Sequence, residues 1–231
     1  MVIDYLGHSG FLVETGRQLL LFDYYRGDLS ILEQKPTDKP LFVFVSHAHP
    51  DHFNPAIFEL TGRAVHYLLS FDLHGSRDVP QTADVTWLEA DMAYEIPDLG
   101  TVRTLRSTDE GVAFLVDTGG ETLFHAGDLH WWDWEGEDPD WLAEQERLFK
   151  REIGTLAGTE LDAAFLVLDD RLERSFARGM AWFLSLHSPR CVLPMHFWSD
   201  RSIIERFRAL PGAVPPNTRI LDTVNETHWE L

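Results

Sequence analysis

Positions 47 to 52 of this 231-residue chain read His-Ala-His-Pro-Asp-His, so His47, His49, Asp51 and His52 offer three imidazoles and a carboxylate within six residues. Neutral imidazole nitrogen and carboxylate oxygen together suit Zn²⁺, Mn²⁺ or iron. Histidines and an aspartate can decorate any polar loop. Four donors directly after the apolar run Leu41 to Val45 point instead to a metal site. Two more donors occupy the same kind of place further on. Asp128 closes Phe124-His125-Ala126-Gly127-Asp128, where the glycine lets backbone approach closely, and His196 closes Val192-Leu193-Pro194-Met195-His196. If these strand ends meet at one edge, five or more nitrogen and oxygen donors surround one cavity. That set is enough for two divalent ions bridged by a carboxylate and a water.

Such donors need strands that stop at a common edge. Leu41 to Val45 sets β-branched and aromatic residues in succession without a polar break and reads as a buried strand. Val2 to Leu6, Phe11 to Glu14 and Gln18 to Tyr24 read as strands separated by Gly10 and the Thr15-Gly16-Arg17 turn, an antiparallel meander. Arg26 to Pro40 is a surface connection with a short helical turn near Leu29 to Gln34. Asn54 caps, and Pro55 begins, a short helix from Pro55 to Leu60. Ala64 to Leu69, Thr86 to Leu88, Ala93 to Ile96 and Val102 to Arg106 read as strands. Val112 to Val116 and Glu121 to His125 form a hairpin around Asp117-Thr118-Gly119-Gly120.

Thereafter helices and strands alternate. Pro139 to Leu156, Ser175 to Leu186 and Ile203 to Leu210 read as helices; Leu161 to Leu168 and Cys191 to Pro194 read as buried strands. Arg219 to Asp222 and Thr227 to Leu231 close the chain as strands. Two sheets packed face to face, with helices outside, would bury these runs. No repeat or linker divides the sequence, so residues 1–231 read as one domain.

Composition narrows the partners. With 38 acidic against 19 basic residues the net charge is −19, a field that repels phosphate backbones, so nucleic acid is not an expected partner. Cys191 is the one cysteine, which leaves no internal disulfide and fits a reducing compartment. The opening Met1-Val2-Ile3-Asp4-Tyr5-Leu6 lacks a basic stretch and a long apolar core, and no apolar run reaches the length of a membrane span. A cytoplasmic protein acting on a small molecule, without membrane attachment, is the expectation; nothing in the sequence indicates an oligomeric state.

The spacing His47-x-His49-x-Asp51-His52, the Gly127-Asp128 pair and the late His196 resemble the metallo-β-lactamase superfamily. The opening Leu6-Gly7-His8-Ser9-Gly10-Phe11-Leu12-Val13-Glu14 and the later Leu21-Phe22-Asp23 are similar to its lactonase-like, metal-dependent hydrolase subgroup. The likeness runs along nearly the whole chain. It implies an α/β fold, the four-layer αβ/βα sandwich with two mixed sheets, helices on the outer faces and metals at one edge. It also implies that His47 and His49 bind a first metal, that Asp51, His52 and His196 bind a second, and that Asp128 bridges them. One departure stands out. The segment expected to give the first metal a further histidine reads Leu105-Arg106-Ser107-Thr108-Asp109-Glu110-Gly111 and has none. Asp109 is either an oxygen replacement, which would favour manganese or iron over zinc, or a turn carboxylate before Gly111, which would leave the first site weak or empty. One or two divalent ions are expected, zinc first, with manganese or iron as alternatives.

The chemistry this implies is metal-assisted hydrolysis of a small ester, lactone or phosphodiester. A metal lowers the pKa of bound water to about 7. Asp51 would orient that water and shuttle its proton, a contribution of roughly 10²–10⁴-fold. The alternatives are a non-catalytic or single-metal binder of the same fold and an iron-dependent redox member. Among the other histidines, His8 reads as either a substrate-facing or ligand-supporting residue or a structural one, with the structural role favoured; the role of His125 is open, and His130 is placed to approach the metals from the loop after Asp128. His66, His74, His187 and His228 have no supporting neighbours. Trp131, Trp132, Trp134 and Trp198 either wall a pocket or pack into the core, with core packing expected for at least half.

Overall fold

Alternation explains why Leu41–Val45 is buried along its whole length. Successive side chains point to opposite faces of a strand. Phe42 and Phe44 join the large core between the sheets, whereas Leu41, Val43 and Val45 join a smaller core on the outer face. Leu20 and Phe22 divide from Leu19 and Leu21 in the same way. The computed structural model, which describes residues 1–231, builds a seven-stranded sheet around these strands. Its members are β1 (Val2–Gly7), β2 (Gly10–Glu14), β3 (Leu19–Phe22), β4 (Leu41–Val45), β5 (Val65–Ser70), β6 (Val85–Leu88) and, from the end of the chain, His228–Glu230. β1 to β3 form the antiparallel meander, and β3 to β6 then run parallel.

A second seven-stranded sheet faces the first. It contains β7 (Ala93–Ile96), β8 (Gly100–Arg106), β9 (Val112–Asp117), β10 (Thr122–His125), β11 (Ala163–Val167), β12 (Cys191–Met195) and β13 (Arg219–Ile220); His228–Glu230 is therefore β14. β7 to β10 are antiparallel, and β10 to β13 are parallel. The β9–β10 hairpin turns through Asp117-Thr118-Gly119-Gly120, with Gly119 at φ +76° and its N–H donating to Asp117 Oδ1 at 2.8 Å.

The two outer layers differ. Helices α1 (Pro139–Gly154), α2 (Arg178–Leu186) and α3 (Ile203–Arg208) bury Phe149, Ile153, Met180, Phe183, Ile203 and Phe207 into the large core on the second sheet. Asp138 caps α1 through the N–H groups of Asp140 and Trp141, with Pro139 at its first position. The first sheet is covered instead by 3₁₀ turns, Leu29–Gln34, Pro55–Glu59 and Phe71–Leu73, which bury Leu32, Ile57 and Leu73. The expected turn at 29–34 and the Asn54 cap are both present, but Pro55–Glu59 winds as a 3₁₀ turn. No helix is long and apolar enough to cross a membrane.

The parallel halves decide where chemistry can sit. β3, β4 and β5 end on one edge because they run the same way, and β10, β11 and β12 end together on the facing sheet. The carboxyl ends of parallel strands are where such sheets place ligands. Two bonds stitch the sheets there: Val112 N–H donates to Ser46 O at 2.9 Å, and His196 N–H donates to His8 O at 3.2 Å.

Candidate metal centre

Each strand that ends on this edge hands over one or more polar side chains. β3 gives Asp23, β4 gives Ser46 and the His47–His52 loop, β10 gives Asp128, β11 gives Asp169, and β12 gives His196. The β1–β2 turn adds His8, and the β8–β9 connection adds Asp109. Asp72, just past β5, accepts the Ala48 N–H at 2.8 Å and holds the histidine loop down.

The donors fall into two groups, each with one ligand atom per residue and all such atoms within 4.8 Å of one another. His8, Asp51, His52 and His196 form one; His47, His49, Asp109 and Asp128 form the other. In the first, His8 Nε2 lies 3.2 Å and His196 Nε2 4.0 Å from Asp51 Oδ2. In the second, His47 Nε2 lies 3.1 Å from His49 Nδ1, and His49 Nδ1 lies 3.6 Å from Asp109 Oδ2. Asp128 reaches both groups: 3.7 Å to His47 Nε2, 3.1 Å to His52 Nε2 and 3.3 Å to His196 Nε2. His47, His52, Asp128 and His196 are buried, whereas the side chains of His49 and Asp109 are 42% and 41% exposed.

The imidazoles are turned by what holds their far side. His52 Nδ1 donates to Asp23 Oδ2 at 2.7 Å, and His196 Nδ1 donates to Asp169 Oδ2 at 3.0 Å. His47 Nδ1 lies 2.9 Å from Ser46 Oγ, which itself donates to Asp23 Oδ2 at 2.6 Å; the ring N–H therefore donates to the hydroxyl. In all three rings the Nδ1 proton is committed outward and Nε2 faces the cavity, the orientation that metal-binding histidines take. Asp23 is fully buried and also accepts the Ser46 N–H at 2.7 Å, so one carboxylate sets two rings and the end of β4.

Without a cation the charges settle among themselves. Burial pushes His47 down to about 4, with His52 acting in the same direction. Burial opposes charge on His196 too, but Asp128 and Asp169 outweigh it and hold this imidazole up at about 9. For His52, burial is outweighed by Asp128 and Asp23, which place it well above the ordinary histidine range. Asp128 lies well below the carboxylate range, because His196 and His52 overcome its own burial. Burial is likewise overcome at Asp51 by His8 and His52, which hold it low. Asp109 is pushed up by burial and by the neighbouring Asp128.

Backbone geometry is specialised at the same edge. His8, Asp23 and His196 have φ of 57°, 39° and 65°, the left-handed region that side chains other than glycine seldom adopt. Gly111 (φ +66°) and Gly127 (φ +50°) lie so close to the end of β4 that a Cβ would come within 2.7 Å of His47 Cβ or Ser46 Cβ, respectively.

All six ligands expected from the sequence converge here: His47, His49, Asp51, His52, Asp128 and His196. Asp109 lies in one donor group with His47, His49 and Asp128 while its side chain stays 41% exposed. His8, for which the sequence favours a structural role over a substrate-facing or supporting one, faces Asp51 inside the cavity. His125 has both ring nitrogens engaged, Nε2 with Ser9 O at 3.0 Å and Nδ1 with Gly127 N–H at 3.1 Å, and stacks on Phe22. It is a core histidine. The His130 ring packs against Gly179 and Phe149 and belongs to neither donor group. Trp131 and Trp132 are buried in the core, although the Trp132 ring still comes 5.8 Å from that of His196; Trp134 is half-buried, and the 48% exposed Trp198 sets its ring 4.6 Å from that of His8. Asp23 and Asp169 were not singled out as site residues by sequence reasoning. Asp169 follows the apolar run Ala163 to Leu168 as directly as His196 follows its own, so the same strand-end signal was present.

Comparison with known proteins agrees with this geometry. Residues 2–135 match the model of the beta-lactamase superfamily domain. A UPF0173 metal-dependent hydrolase from Opitutus terrae is 30% identical over 218 residues, covering 88% of this chain and 87% of that protein. Among solved structures, Igni18, a metallo hydrolase from the archaeon Ignicoccus hospitalis, superposes with a TM-score of 0.70 at 15% identity, covering 100% of this chain and 98% of the other. The metallo-beta-lactamase fold protein YhfI from Bacillus subtilis gives a TM-score of 0.65 at 14% identity, with 99% of each chain covered.

Proposed function

This chain belongs to the beta-lactamase superfamily and its UPF0173 metal-dependent hydrolases, and from that premise we infer that it hydrolyses a small ester, lactone or phosphodiester at a two-cation centre. The observation that carries this reading is the convergence of the His47, His52 and His196 Nε2 atoms on Asp128, each ring fixed by a bond to its Nδ1. The cavity also contains buried polar atoms that lack a well-aligned hydrogen bond within the protein. His8 Nε2, His52 Nε2 and Asp128 Oδ1 make no hydrogen bond, although His52 Nε2 and Asp128 Oδ1 stand 3.1 Å apart. Buried polar atoms are otherwise almost always paired, so the donor set fits a cation.

His47, His49, Asp109 and Asp128 would hold one ion; Asp51, His52 and His196, joined by His8, would hold the other, with Asp128 facing both. A divalent cation there would lower the pKa of a bound water and polarise the acceptor oxygen of the substrate. Asp51 orients the attacking water and accepts its proton, because it is held as a carboxylate at the cavity, with His8 Nε2 3.2 Å from its Oδ2. The buried Asp23 and Asp169 keep the rings in the tautomer that leaves Nε2 free.

Burial differs between the groups. His49 and Asp109 are about two-fifths exposed, whereas His8, His52 and His196 are buried. The His8/Asp51/His52/His196 group is therefore the tighter site, and a single-cation form would hold its ion there. Elemental analysis after reconstitution with zinc, manganese or iron, with a screen of small esters, lactones and phosphodiesters, tests the proposal. About two ions per chain and turnover of one substrate class are expected. A protein that stays metal-free and inert in all three metals sinks it.

Two further results are expected. Asp23→Ala should weaken cation binding by about 10–100-fold while leaving the six predicted ligands in place; wild-type affinity by calorimetry would remove Asp23 from the assembly. Cation uptake should also release protons, since a cation must displace them from His52 and from His196, whose pKa is about 9. Affinity then rises with pH up to about 9, by about tenfold per pH unit for each proton displaced. The same raised pKa gives the metal-free protein stability below the unfolded histidine value of about 6.5. That stability is lost as pH climbs through about 9. Calorimetry in buffers of different ionisation enthalpy counts the protons, and a pH-independent affinity between pH 6 and pH 9 would contradict the assignment.

A further inference from the structure

Three consecutive residues after β11 each hold a different part of the cavity mouth. Asp169 fixes the His196 ring. Asp170 accepts the N–H groups of Trp198, Ser199 and Asp200 at 2.9–3.2 Å, and so folds the turn that carries Trp198. Arg171 gives its Nε and Nη2 edge to Asp169, and its Cζ lies 5.0 Å from the Trp198 ring and 5.4 Å from the Trp134 ring. The guanidinium is thus fixed on one edge and flanked by two indoles, while its Nη1 end makes no hydrogen bond within the chain and the side chain is 46% exposed. Trp198 connects this arrangement to the reacting centre, with its ring 4.6 Å from His8 and 6.0 Å from His196.

A structural salt bridge alone would account for the Asp169 contact. It does not account for an exposed tryptophan held over the metal edge by a dedicated carboxylate. Nor does it account for the free end of a cation beside that tryptophan, in a chain whose net charge is −19. A planar guanidinium presents its donors in a fork that matches carboxylate and phosphate oxygens, and indole faces give apolar area to the rest of a ligand.

We propose that Arg171, clamped between Trp134 and Trp198, is the anion-recognition point of the substrate pocket, so that the substrate carries a carboxylate or phosphate group beside the bond to be hydrolysed. This rests on the hydrolase reading for the word substrate, but the binding itself can be measured without turnover.

Calorimetric titration of the zinc-loaded protein with benzoate, phenyl phosphate and the neutral benzamide tests it. The two anions should bind at least about tenfold more tightly than benzamide, and Arg171→Gln should lose about tenfold in anion affinity while zinc content stays unchanged. Arg171→Lys should keep part of that preference, and Trp198→Ala, a change at an exposed position, should weaken all three probes alike. The stronger of the two anions identifies the group. Undiminished anion binding in Arg171→Gln would show that the cations alone capture the anion, and would overturn the proposal. Loss of zinc in that variant would also overturn it, by making Arg171 a support for Asp169. If the predicted pattern appears but no ester, lactone or phosphodiester is turned over, the hydrolase reading fails and the anion clamp stands.

Discussion

Asp128→Ala is expected to lose both turnover and at least one of the cations, the largest effect of any single change at this edge. Asp128 is the one carboxylate within 3.7 Å of His47, His52 and His196, so it is shared by both donor groups. Residues that merely support a metal ligand cost about 10–100-fold when removed, and a bridging carboxylate should exceed that. The metal-free protein should suffer as well. Asp128 balances the charge held on His52 and His196, and breaking a buried ion pair from one side costs about 3–5 kcal/mol unless the partner gives up its proton. Asp128→Asn separates the two effects, because it keeps the volume and loses the charge. Elemental analysis beside thermal melts of the metal-free and reconstituted variants makes the check. Two ions per chain and wild-type turnover in Asp128→Ala would remove Asp128 from the centre.

Gly111→Ala should be the most disruptive change outside the donors themselves. A Cβ there would overlap the Ser46 carbonyl oxygen and come within 2.7 Å of His47 Cβ and 2.8 Å of Ser70 Oγ. Ser46 O is also the acceptor for Val112 N–H, one of the stitches between the sheets, so the clash is with backbone that has no room to yield. Overpacking costs about 1–3 kcal/mol, and the left-handed conformation adds about 1–2 kcal/mol for an alanine, giving about 2–5 kcal/mol together. For a chain of this length that is a fall of about 10 °C in Tm. Asp109 lies two residues away, so the variant should also displace this carboxylate from His49. Gly119→Ala is the matched control. Its φ is +76° but nothing lies within 4 Å of its Cβ position, and it should cost only the conformational part. Equal losses in the two variants would show that the close approach at Gly111 is not what matters.

These results bear on how far residue order could lead. Strand ends were legible because Leu41 to Val45 and Val192 to Met195 are apolar runs that stop just before polar donors, and because the hairpin arm through Phe124 and His125 runs into Gly127-Asp128. Asp169 obeys the same rule but is joined to further polar residues, Asp170 and Arg171, that read as a surface loop; its partner His196 lies 27 positions on. His8 was obscured by a turn. Its contact with Asp51 depends on how the β1–β2 corner folds over the edge, and no periodicity reports that. Asp109 could be named as a candidate but not decided, since only the Gly111 approach to Ser46 draws its loop toward His49. The 3₁₀ character of the layer on the first sheet was also hidden, because Pro55 and its cap are compatible with either kind of helix.

The left-handed backbone at His8, Asp23 and His196 has a practical side for anyone wishing to make this protein more robust. Glycine is the residue that relaxes such positions, yet at each of them it would delete an imidazole or the carboxylate that orients two rings. Durability and chemistry therefore compete for the same three residues, the trade-off that active sites impose on their folds. Improvement has to be sought where the competition is absent. The opposite edge offers such ground: the Gly119-Gly120 turn lies at the far end of β10 from Asp128, with Gly119 facing open space. Shortening or stiffening that turn would harden the scaffold without touching a ligand.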